Sequence, residues 1–422
     1  MDTRRRRILG MGAAGVLAAV PGIATAAPAR PRARVVVVGG GYGGATAAKY
    51  LRLLDPALDV VLVEPNAAFV SCPLSNLVIG GFRGMDDITR PYGTLASAHG
   101  VRIVRDRATA IDAQRRQVRL EHGDAIAFDR VIVAPGIDFL WDQMPALRDP
   151  AVRARAPIAW KAGPETVELR RRLEAMPDGG VLVIAVPETP FRCPPAPYER
   201  ACQAAAYFRR AKPRAKVLVV DANGDVAAEP ALFKRAWAEL YPGMVDYRPN
   251  SKAVDVDVAT GTVKLELEDV KGDVLNVIPP MKAGAVAEPF VTANGRWCEV
   301  DWLTYESHAA KGVHVVGDAL FPAPVMPKSG HVANAQAKAC AAAVASLLSG
   351  EAPNPAPTLT STCYSFLSPE LAVHVASVHK YDPAERTMKA VPGSGGLSPA
   401  MSAQEAAFGY EWARNIWADT LA

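Results

Sequence analysis

Three glycines near the start of the chain have the spacing of a phosphate-binding turn. Gly39, Gly41 and Gly44 form a GxGxxG motif directly after a run of valines and directly before a helical pattern. In such a turn the first glycine permits the tight bend, the second lets a pyrophosphate approach the backbone, and the third packs helix on strand. Glu64 ends the next apolar run, where a carboxylate can accept hydrogen bonds from an adenosine ribose. Together these residues predict a dinucleotide site rather than a glycine turn of structural use only.

Six cysteines are available for sulfur chemistry. The chain contains Cys72, Cys193, Cys202, Cys298, Cys340 and Cys363. The sequence has no CxxC pair, CxxCH motif or His-rich tract, so it predicts no metal centre and no haem attached to this chain. In an oxidising compartment the cysteines can form disulfides, but the sequence alone does not fix their pairing. Cys202, Cys298 and Cys340 are expected to be buried small hydrophobic residues.

Alternating strand and helix patterns must position these residues. Runs typical of strands begin at Arg34, Val60, Val101, Val131, Val181, Val217, Val263 and Val313. Helical patterns lie between several of them, as at 164–175 and 198–210. The alternation is typical of a doubly wound α/β fold. A proline-rich linker around 353–357 precedes an aromatic-rich tail at 358–422.

The first 26 residues have the pattern of an export signal. Arg4 to Arg7 precede an apolar stretch that runs to Val20, and Ala24-Thr25-Ala26 offers a small-x-small cleavage site. The run Thr3-Arg-Arg-Arg-Arg-Ile-Leu resembles a twin-arginine signal. A transit peptide is the weaker interpretation, because the apolar segment is continuous rather than striped. We therefore expect 1–26 to be a twin-arginine export signal and the mature protein to be periplasmic.

The charge balance argues against a nucleic-acid partner. The chain holds 47 basic and 43 acidic residues, a formal net charge of +4. Most of that excess comes from Arg4 to Arg7 in the leader, so the mature chain is nearly neutral. No basic surface of the kind that contacts phosphates along a nucleic acid is predicted.

Two later segments resemble the flavin motifs of the two-dinucleotide-domain flavoproteins of the disulfide reductase type. Val131-Ile-Val-Ala-Pro-Gly136 is similar to their strand-to-turn segment, which implies that Ala134 and Gly136 lie beside the cofactor. Gly312-Val-His-Val-Val-Gly-Asp318 is similar to their second flavin motif, in which the aspartate, Asp318, binds the ribityl chain. The resemblance implies FAD rather than NAD at the GxGxxG site.

This resemblance also implies the domain organisation. The fold class is α/β, with two doubly wound domains of the dinucleotide-binding type and a smaller C-terminal domain. The FAD-binding domain is expected over 27–155 and 290–352, and the second domain over 156–289. The C-terminal domain, 353–422, is expected to cover the flavin.

The second domain lacks a loop for a nicotinamide cofactor. Where a second GxGxxG should follow the strand at Val181, the sequence reads Val186-PETPFRCPPAPYER. Prolines and Cys193 stand in place of the glycines, so no phosphate cradle can form there. We therefore expect the electrons to be exchanged with something other than a nicotinamide.

Several unusual strings make the family resemblance specific. They are GGATAAKYL in the first helix, CPLSN around Cys72, PFRCPPAPYER around Cys193, MPKSG at 326–330 and STCYS around Cys363. In these strings and in their order, residues 34–422 resemble the flavoprotein subunit of flavocytochrome c sulfide dehydrogenase.

The resemblance implies a redox-active disulfide beside the flavin. Cys193 and Cys363 fall at the positions of that disulfide, and Glu199 falls on a glutamate that serves as an acid or base near it. A purely structural disulfide is the alternative, because both cysteines would be exported.

The resemblance also implies three contacts with the flavin. Cys72 falls where the family joins a cysteine sulfur covalently to the flavin 8α-methyl group, although Pro73 follows it where an aromatic residue is expected. Trp412 matches a tail tryptophan close to the flavin. Lys328, with the helix that begins near Ser329, falls at the flavin's pyrimidine edge, where a helix N-terminus stabilises an anionic reduced flavin.

The implied activity is the oxidation of sulfide to sulfane sulfur or polysulfide. Electrons would pass through the disulfide and FAD to a c-type cytochrome subunit or a soluble cytochrome c. Sulfide:quinone oxidoreductase is the closest alternative, but it needs a membrane-dipping surface, and the tail at 406–422 lacks a basic polar side. No stable membrane insertion is therefore expected. A second alternative is a non-catalytic flavoprotein that protects a sulfur-carrier partner.

Overall fold

Helices and strands are described for residues 32–422 by a computed structural model of the chain. The predicted export signal, 1–26, lies outside the described residues. Within 32–422 the helices are α1 (Tyr42–Leu54), α2 (Ser75–Ile79), α3 (Gly93–Ser97), α4 (Pro150–Arg155), α5 (Pro164–Ala175), α6 (Ala196–Ala211), α7 (Pro230–Leu240), α8 (Gly330–Ser349) and α9 (Ala403–Leu421).

The strands of the same range are short and numerous. They are β1 (Arg34–Val38), β2 (Asp59–Val63), β3 (Ala68–Val70), β4 (Thr89–Pro91), β5 (Arg102–Val104), β6 (Ala108–Asp112), β7 (Gln117–Leu120), β8 (Ile126–Ala127), β9 (Arg130–Val133), β10 (Ile137–Phe139), β11 (Val181–Val186), β12 (Lys216–Asp221), β13 (Val245–Arg248), β14 (Ala253–Asp257), β15 (Thr262–Leu265), β16 (Asp269–Lys271), β17 (Val274–Val277), β18 (Met281–Ala283), β19 (Val291–Ala293), β20 (Trp297–Cys298), β21 (Val313–Val315), β22 (Thr358–Phe366), β23 (Ala372–Asp382), β24 (Thr387–Ala390) and β25 (Gly396–Leu397).

The valines that precede the glycine motif form the middle of a parallel sheet. Its strand order is β21-β9-β1-β2-β5, and each neighbouring pair is parallel. Val35, Val36 and Val37 are fully buried, as expected of a central strand in a sheet covered on both faces. Because β21 comes from residues 313–315, the chain returns to its first sheet after it has built a second one.

The second parallel sheet has the order β13-β12-β11-β17. The predicted helix at 164–175 is α5, and the predicted helix at 198–210 lies within α6. Two parallel sheets with helices between their strands confirm the predicted doubly wound α/β class.

The apolar run at Val263 belongs to neither parallel sheet. It forms β15, which pairs antiparallel with β14 and β16. Val263 and Leu265 are buried while Lys264 between them is exposed. This alternation is typical of an antiparallel strand with one solvated face, and it differs from the continuous apolar runs of the parallel strands.

The tail forms an antiparallel sheet followed by the last helix. Its strand order is β22-β23-β24, with β25 paired to β23. The end of α9 is tied to the first region, because Nζ of Lys49 donates to the carbonyls of Ala418 (3.1 Å) and Asp419 (3.0 Å). Nδ2 of Asn334 in α8 donates to the Asp419 carboxylate at 2.8 Å. The tail is thereby fixed against α1 and α8.

Within residues 32–422, no helix is long and apolar enough to span a bilayer.

Candidate functional site

The GxGxxG turn links β1 to α1. Gly39 has a φ of +97°, a backbone conformation that favours glycine. A Cβ on Gly44 would lie 1.7 Å from the Gly39 carbonyl oxygen, so only glycine allows this packing. A Cβ on Gly41 would meet no atom within 4 Å, because Gly41 borders open space at the N-terminus of α1. The turn therefore leaves room for a phosphate at the positive end of a helix.

Glu64 lies beside this turn, directly after β2. It is 6% exposed, and its Oε2 accepts a hydrogen bond from the backbone N–H of Gly40 at 2.6 Å. Its Oε1 accepts from the backbone N–H and the side-chain Nδ2 of Asn66, at 2.8 and 2.6 Å. These bonds fix the carboxylate next to the turn and leave some of its lone pairs for a ribose hydroxyl.

Ala134 and Gly136 lie on the neighbouring strand end. The N–H of Ala134 donates to the carbonyl of Val38 at 2.8 Å, which aligns the turn after β9 with the turn after β1. A Cβ on Gly39 would lie 2.4 Å from the Ala134 carbonyl oxygen. Gly136 has a φ of +67°. The GxGxxG turn after β1 and the predicted segment after β9 thus meet at one edge of the first sheet.

One cavity collects side chains from all three predicted domains. Of the predicted site residues, its wall contains Cys72, Cys193, Glu199, Asp318, Cys363 and Trp412. The others, Gly39, Gly41, Gly44, Glu64, Ala134, Gly136 and Lys328, are not part of that wall. Tyr42, in the first turn of α1, does line the cavity and so connects it to the glycine turn. Trp160 and Phe366 add aromatic surface to the wall, which suits a flat ring system.

Cys193 precedes α6 and has a strained backbone. Its φ is +56°, which is unusual for a residue other than glycine, and its N–H donates to the carbonyl of Lys328 at 2.8 Å. Burial raises the pKa of its thiol well above the usual value, and the nearby Cys363 and Glu199 raise it further. Cys193 is a free cysteine in this structure.

Cys363 lies in β22 and is also a free cysteine. Side chains alternate along a strand, so Ser361 and Ser365 share its face, and both of these serines are buried. Burial raises the pKa of the Cys363 thiol to about 12. The two cysteines therefore face one cavity, although they come from different parts of the chain.

Glu199 lies in the first turn of α6 and is 9% exposed. Nδ2 of Asn76 donates to its Oε2 at 2.6 Å, and the N–H of Phe366 donates to its Oε1 at 2.9 Å. Burial raises the pKa of Glu199 to about 7, with these two donors and Arg200 acting in the opposite direction. A carboxyl group with this pKa can both give and take a proton near neutral pH.

Arg200 and Asn76 support Glu199. Both lie in strings that carry the family resemblance, PFRCPPAPYER and CPLSN, but the sequence assigned neither of them a role. Arg200 is 2% exposed; its Nε donates to Oδ1 of Asn76 (3.1 Å), and its Nη1 donates to Oδ1 of Asn276 (2.7 Å). Burial lowers the pKa of Arg200 to about 10. Because Asn76 accepts from Arg200, its amide nitrogen is oriented toward Glu199. Arg200 directly follows Glu199 in the sequence, but nothing there indicates that it is buried.

Cys72 has a cationic partner that the sequence did not predict. Nη2 of Arg192 donates to Sγ of Cys72 at 3.1 Å and also to the carbonyl of Trp160. Burial acts to lower the pKa of Arg192, but Cys72, Asp318 and Cys193 outweigh it and raise this pKa. Arg192 is the neighbour of Cys193 in the PFRCPP string, and this adjacency is the one signal that could have identified it.

Asp318 offers an unused acceptor to the cavity. Its Oδ1 is buried and has no hydrogen-bond partner among the described residues. Burial raises the pKa of Asp318, while Arg192 and Lys328 act to lower it. A buried carboxylate oxygen without a donor needs one from a bound molecule. The hydroxyls of a ribityl chain are donors of this kind.

Lys328 is not part of the cavity wall, and backbone carbonyl groups hold its ammonium group. Nζ donates to the carbonyl of Asp318 at 3.0 Å and to that of Leu320, and it lies 3.6 Å from the centroid of the Trp297 ring. Burial lowers the pKa of Lys328 to about 7. A buried ammonium requires acceptors, and here the loop that carries Asp318 provides them. The N-terminus of α8, through Ser329, does reach the cavity.

Trp412 lies on α9 at the cavity wall. Its ring packs against Tyr364 and His331, with centroid separations of 6.1 and 6.0 Å. The tail therefore contributes an aromatic cluster to this side of the cavity, where the sequence predicted a tryptophan near the flavin.

A possible cation site, which the sequence did not predict, lies away from the cavity. Among residues 32–422, Asp106, Glu121 and His122 place one ligand atom each within 4.8 Å of one another. The Asp106 carboxylate already accepts hydrogen bonds from the N–H groups of Arg107, His122 and Gly123. These three N–H groups account for the position of the Asp106 carboxylate without a metal ion.

Comparison with known families matches three consecutive parts of the chain. Residues 33–149 match "Pyridine nucleotide-disulphide oxidoreductase". Residues 166–279 match "Sulfide dehydrogenase [flavocytochrome c] flavoprotein chain, central", and residues 355–421 match "Flavocytochrome c sulphide dehydrogenase, flavin-binding".

Individual relatives agree with these families. The chain is 71% identical to the sulfide dehydrogenase [flavocytochrome c] flavoprotein chain of Chlorobaculum thiosulfatiphilum over 45 residues, which are 11% of this chain and 94% of that sequence. It is 25% identical to the mitochondrial sulfide:quinone oxidoreductase of Mus musculus over 67% of this chain and 65% of the relative. The aligned part thus spans slightly less than two thirds of that relative's own length.

A solved structure supports the fold. The sulfide:quinone oxidoreductase from Aquifex aeolicus superposes with a TM-score of 0.72 at 18% identity, covering 92% of this chain and 91% of the other. At this identity the likeness concerns the fold alone, and it agrees with the predicted disulfide-reductase-like architecture.

Proposed function

We propose, from the premise that the chain belongs to the family of the flavoprotein chain of flavocytochrome c sulfide dehydrogenase, that it binds FAD and oxidises sulfide. One observation carries the proposal. Cys193, before α6, and Cys363, in β22, share a cavity with Glu199, Cys72 and Asp318. Such a site combines a sulfur electrophile, an acid or base and contacts for a flavin.

The residues present fit FAD. The open space at Gly41 accommodates the pyrophosphate, Glu64 lies where the adenosine ribose would be, and the unpartnered oxygen of Asp318 suits the ribityl chain. Bound there, the flavin supplies an electron store that takes two electrons together and releases them singly.

We further propose that Cys72 holds the flavin covalently. Its Sγ faces the cavity and accepts a hydrogen bond from Arg192 at 3.1 Å. The same guanidinium group also donates to the carbonyl of Trp160, so it holds the sulfur at a fixed place on the cavity wall. Arg192 would therefore position Cys72 for attachment.

The cysteine pair would carry the chemistry of sulfide. Hydrosulfide attacks one sulfur of a Cys193–Cys363 disulfide; that bond breaks, a new S–S bond forms to the attacked cysteine, and the other cysteine leaves as a thiolate. A second hydrosulfide then removes the outer sulfur as hydrodisulfide. Both cysteines are then reduced, and their disulfide forms again by loss of two electrons, which a bound flavin would accept. Overall, two hydrosulfide ions give one hydrodisulfide ion, one proton and two electrons. Glu199 would exchange protons with the sulfur atoms during these steps.

A c-type cytochrome is the proposed electron acceptor, either as a subunit or as a soluble protein. The name of the matched family, flavocytochrome c, supports this partner. The segment between β11 and α6, which carries Cys193, has no glycine loop for a nicotinamide, and this supports an acceptor of another kind. We also propose that residues 1–26 direct the protein to the periplasm by the twin-arginine route.

Sulfide:quinone oxidoreductase activity is the second candidate. The alignment with the mitochondrial enzyme of Mus musculus favours it, because it covers 67% of this chain. The two activities share sulfide as the donor and differ in the acceptor. A non-catalytic flavoprotein that protects a sulfur carrier would reduce neither acceptor.

Rapid mixing of the purified protein with sulfide tests the proposal. We expect the yellow flavin absorption to bleach, and to return quickly when oxidised cytochrome c is added but slowly with a water-soluble quinone. Fast return with quinone alone would favour the second candidate. Absence of bleaching by sulfide would contradict both activities.

A further inference from the structure

Tyr42 lines the cavity, and the proposed chemistry gives it no role. It lies in the first turn of α1, within the GxGxxG motif, and is 8% exposed. Its ring packs edge-on against Phe69 of β3, with ring centroids 5.0 Å apart. A Cβ on Gly330, the first residue of α8, would lie 2.9 Å from the same ring. The ring of Tyr42 is therefore fixed between β3 and α8.

The Tyr42 hydroxyl belongs to a hydrogen-bond network that joins the tail to the residues around Cys72. Nε1 of Trp417, on α9, donates to Oη of Tyr42 at 3.1 Å. Oη of Tyr42 lies 2.7 Å from Oγ of Ser71, and Oγ of Ser71 donates to the carbonyl of Pro73 at 2.8 Å. Ser71 and Pro73 flank Cys72, so the network ends on both sides of the cysteine.

The donor of each bond in this network can be assigned. An indole N–H can only donate, a carbonyl can only accept, and a hydroxyl has one proton to donate. Ser71 uses its proton on Pro73, so Tyr42 donates to Ser71 and accepts from Trp417. Burial raises the pKa of the Tyr42 hydroxyl, which therefore keeps its proton at neutral pH. The three bonds can thus exist together, and they run in one direction from α9 to Pro73.

The Cys72 segment, 71–75, is held from two sides. On one side the N–H and the hydroxyl of Ser75 donate to the Cys72 carbonyl, at 3.0 and 2.6 Å. On the other side Pro73 has no backbone N–H, so its carbonyl is the backbone group that can be fixed by a hydrogen bond, and Ser71 fixes it. Ser71 is fully buried, so water cannot easily replace a partner that it loses.

We propose that Tyr42 is a positioning residue for Cys72. The Tyr42 hydroxyl, oriented by Trp417, fixes Ser71 and thereby holds the Cys72 sulfur at its place in the cavity wall. The use of this position rests on the proposed function, in which Cys72 holds the flavin. The tail thus has a further task besides its contribution of side chains to the cavity, because the order of the Cys72 segment depends on α9.

Hydrogen exchange of the purified full-length flavoprotein measures this positioning without turnover. Mass spectrometry follows the peptides that contain the Cys72 segment, with the peptides of α7 as an internal reference. Tyr42→Phe keeps the ring and removes the hydroxyl, so we expect exchange in the Cys72 segment to accelerate about fivefold, the equivalent of one ordinary hydrogen bond. Ser71→Ala interrupts the network at the next hydroxyl and should give a similar acceleration. Exchange in α7 should not change.

A double variant separates positioning from two independent packing effects. Trp417→Phe removes the donor to Tyr42 and keeps a ring beneath the Arg90 guanidinium, which lies 4.1 Å from the centroid of the Trp417 ring. By itself it should accelerate exchange in the Cys72 segment. In the Tyr42→Phe background it should cause no further acceleration, because the hydroxyl that the indole orients is then absent. Independent packing roles would instead give additive effects.

Tyr50→Phe is the matched control. Tyr50 also lies on α1, and its hydroxyl donates to the Asp419 carboxylate of α9 at 2.7 Å. The variant therefore loses a hydrogen bond between the same two helices but leaves the network at Ser71 intact. Exchange in the Cys72 segment should keep the wild-type rate.

Acid denaturation then measures what the position does for the flavin. At equal FAD content before denaturation, Tyr42→Phe should retain less yellow colour on the polypeptide than the wild type, and Tyr50→Phe should retain as much. Wild-type exchange in Tyr42→Phe, additive effects in the double variant, or full retention of colour in Tyr42→Phe would each overturn the proposal. If the wild type itself releases all its flavin while the exchange results hold, covalent attachment is refuted and the positioning of Cys72 by Tyr42 stands.

Discussion

Single side chains in the cavity differ from exposed ones because little water reaches their charged forms. Burial raises the pKa values of Cys193, Cys363 and Glu199, so each favours its neutral state. Charge that appears on one sulfur must therefore be balanced by a proton moved within the cavity. This makes the neighbouring carboxyl groups part of any sulfur chemistry at the site.

Glu199→Gln should change the pH dependence of stability. Because the pKa of Glu199 rises from 4.5 in the unfolded chain to about 7 in the folded one, the folded state binds more protons between these values. The stabilisation it contributes is complete below pH 4.5 and is lost as the pH rises through about 7, a change on the order of 3 kcal/mol. Thermal unfolding should therefore show a smaller loss of stability from pH 5 to pH 8 in the variant. An equal loss in both proteins would contradict the assignment.

Cys72→Ala should release the flavin. If the Cys72 sulfur holds the cofactor, acid denaturation of the wild type leaves the yellow colour on the polypeptide, and the same treatment of the variant moves it to the supernatant. Cys298→Ala, which removes a buried thiol outside the cavity wall, is the control and should retain the colour. Colour in the wild-type supernatant would show a noncovalent flavin.

At the scale of elements, the connection from β11 to α6 is where the second sheet contributes residues to the cavity. In a nicotinamide-binding protein this connection would be a glycine turn, but here it carries Arg192 and Cys193 into the cavity. The strand and the helix are retained, as the parallel sheet shows. The strand and the helix are therefore arranged as in a dinucleotide-binding unit, while the loop between them presents a cysteine and an arginine to the cavity.

NADH and NADPH should not reduce the flavin. The prolines of the β11–α6 connection, such as Pro187, Pro190 and Pro194, lack backbone N–H groups and cannot form a phosphate cradle. Anaerobic mixing with either nucleotide should leave the flavin spectrum unchanged, while dithionite should bleach it. Rapid bleaching by a nucleotide would show that another part of the chain binds it.

Local pattern explains which elements could be predicted from the sequence. The glycine turn and α5 depend on neighbouring residues, so their bounds agree with the pattern. Which sheet β15 joins depends on strands elsewhere in the chain. The short apolar run of β15 alone did not identify its antiparallel partners. Arg200 was missed for the same reason, because an ionisable residue in a sequence carries no sign of burial.

At the scale of the whole molecule, the site exists because three segments meet. The first sheet carries the glycine turn and Asp318, the second region brings Cys193, and the tail brings Cys363 and Trp412. Contacts of Asp419 with Lys49 and Asn334 hold the tail in place. A disulfide between Cys193 and Cys363 would therefore require the complete fold.

A disulfide between Cys193 and Cys363 should accept electrons together with the flavin. A bond in the cavity is accessible to a small thiol or sulfide, unlike a structural bridge that resists reduction. Anaerobic titration with dithionite should therefore consume four electrons per chain, two for FAD and two for the disulfide. Cys193→Ser and Cys363→Ser should each consume two.

Both serine variants should bind FAD and still lose sulfide oxidation, because hydrosulfide then has no electrophilic sulfur to attack. Circular dichroism and the flavin spectrum check that each variant folds and holds its cofactor, and Cys298→Ala serves as the control that keeps activity. Turnover is measured with sulfide and oxidised cytochrome c. If either serine variant keeps near-normal turnover, sulfide must deliver its electrons directly to the flavin, and the pairing of Cys193 with Cys363 would then serve only to brace the tail against the second region.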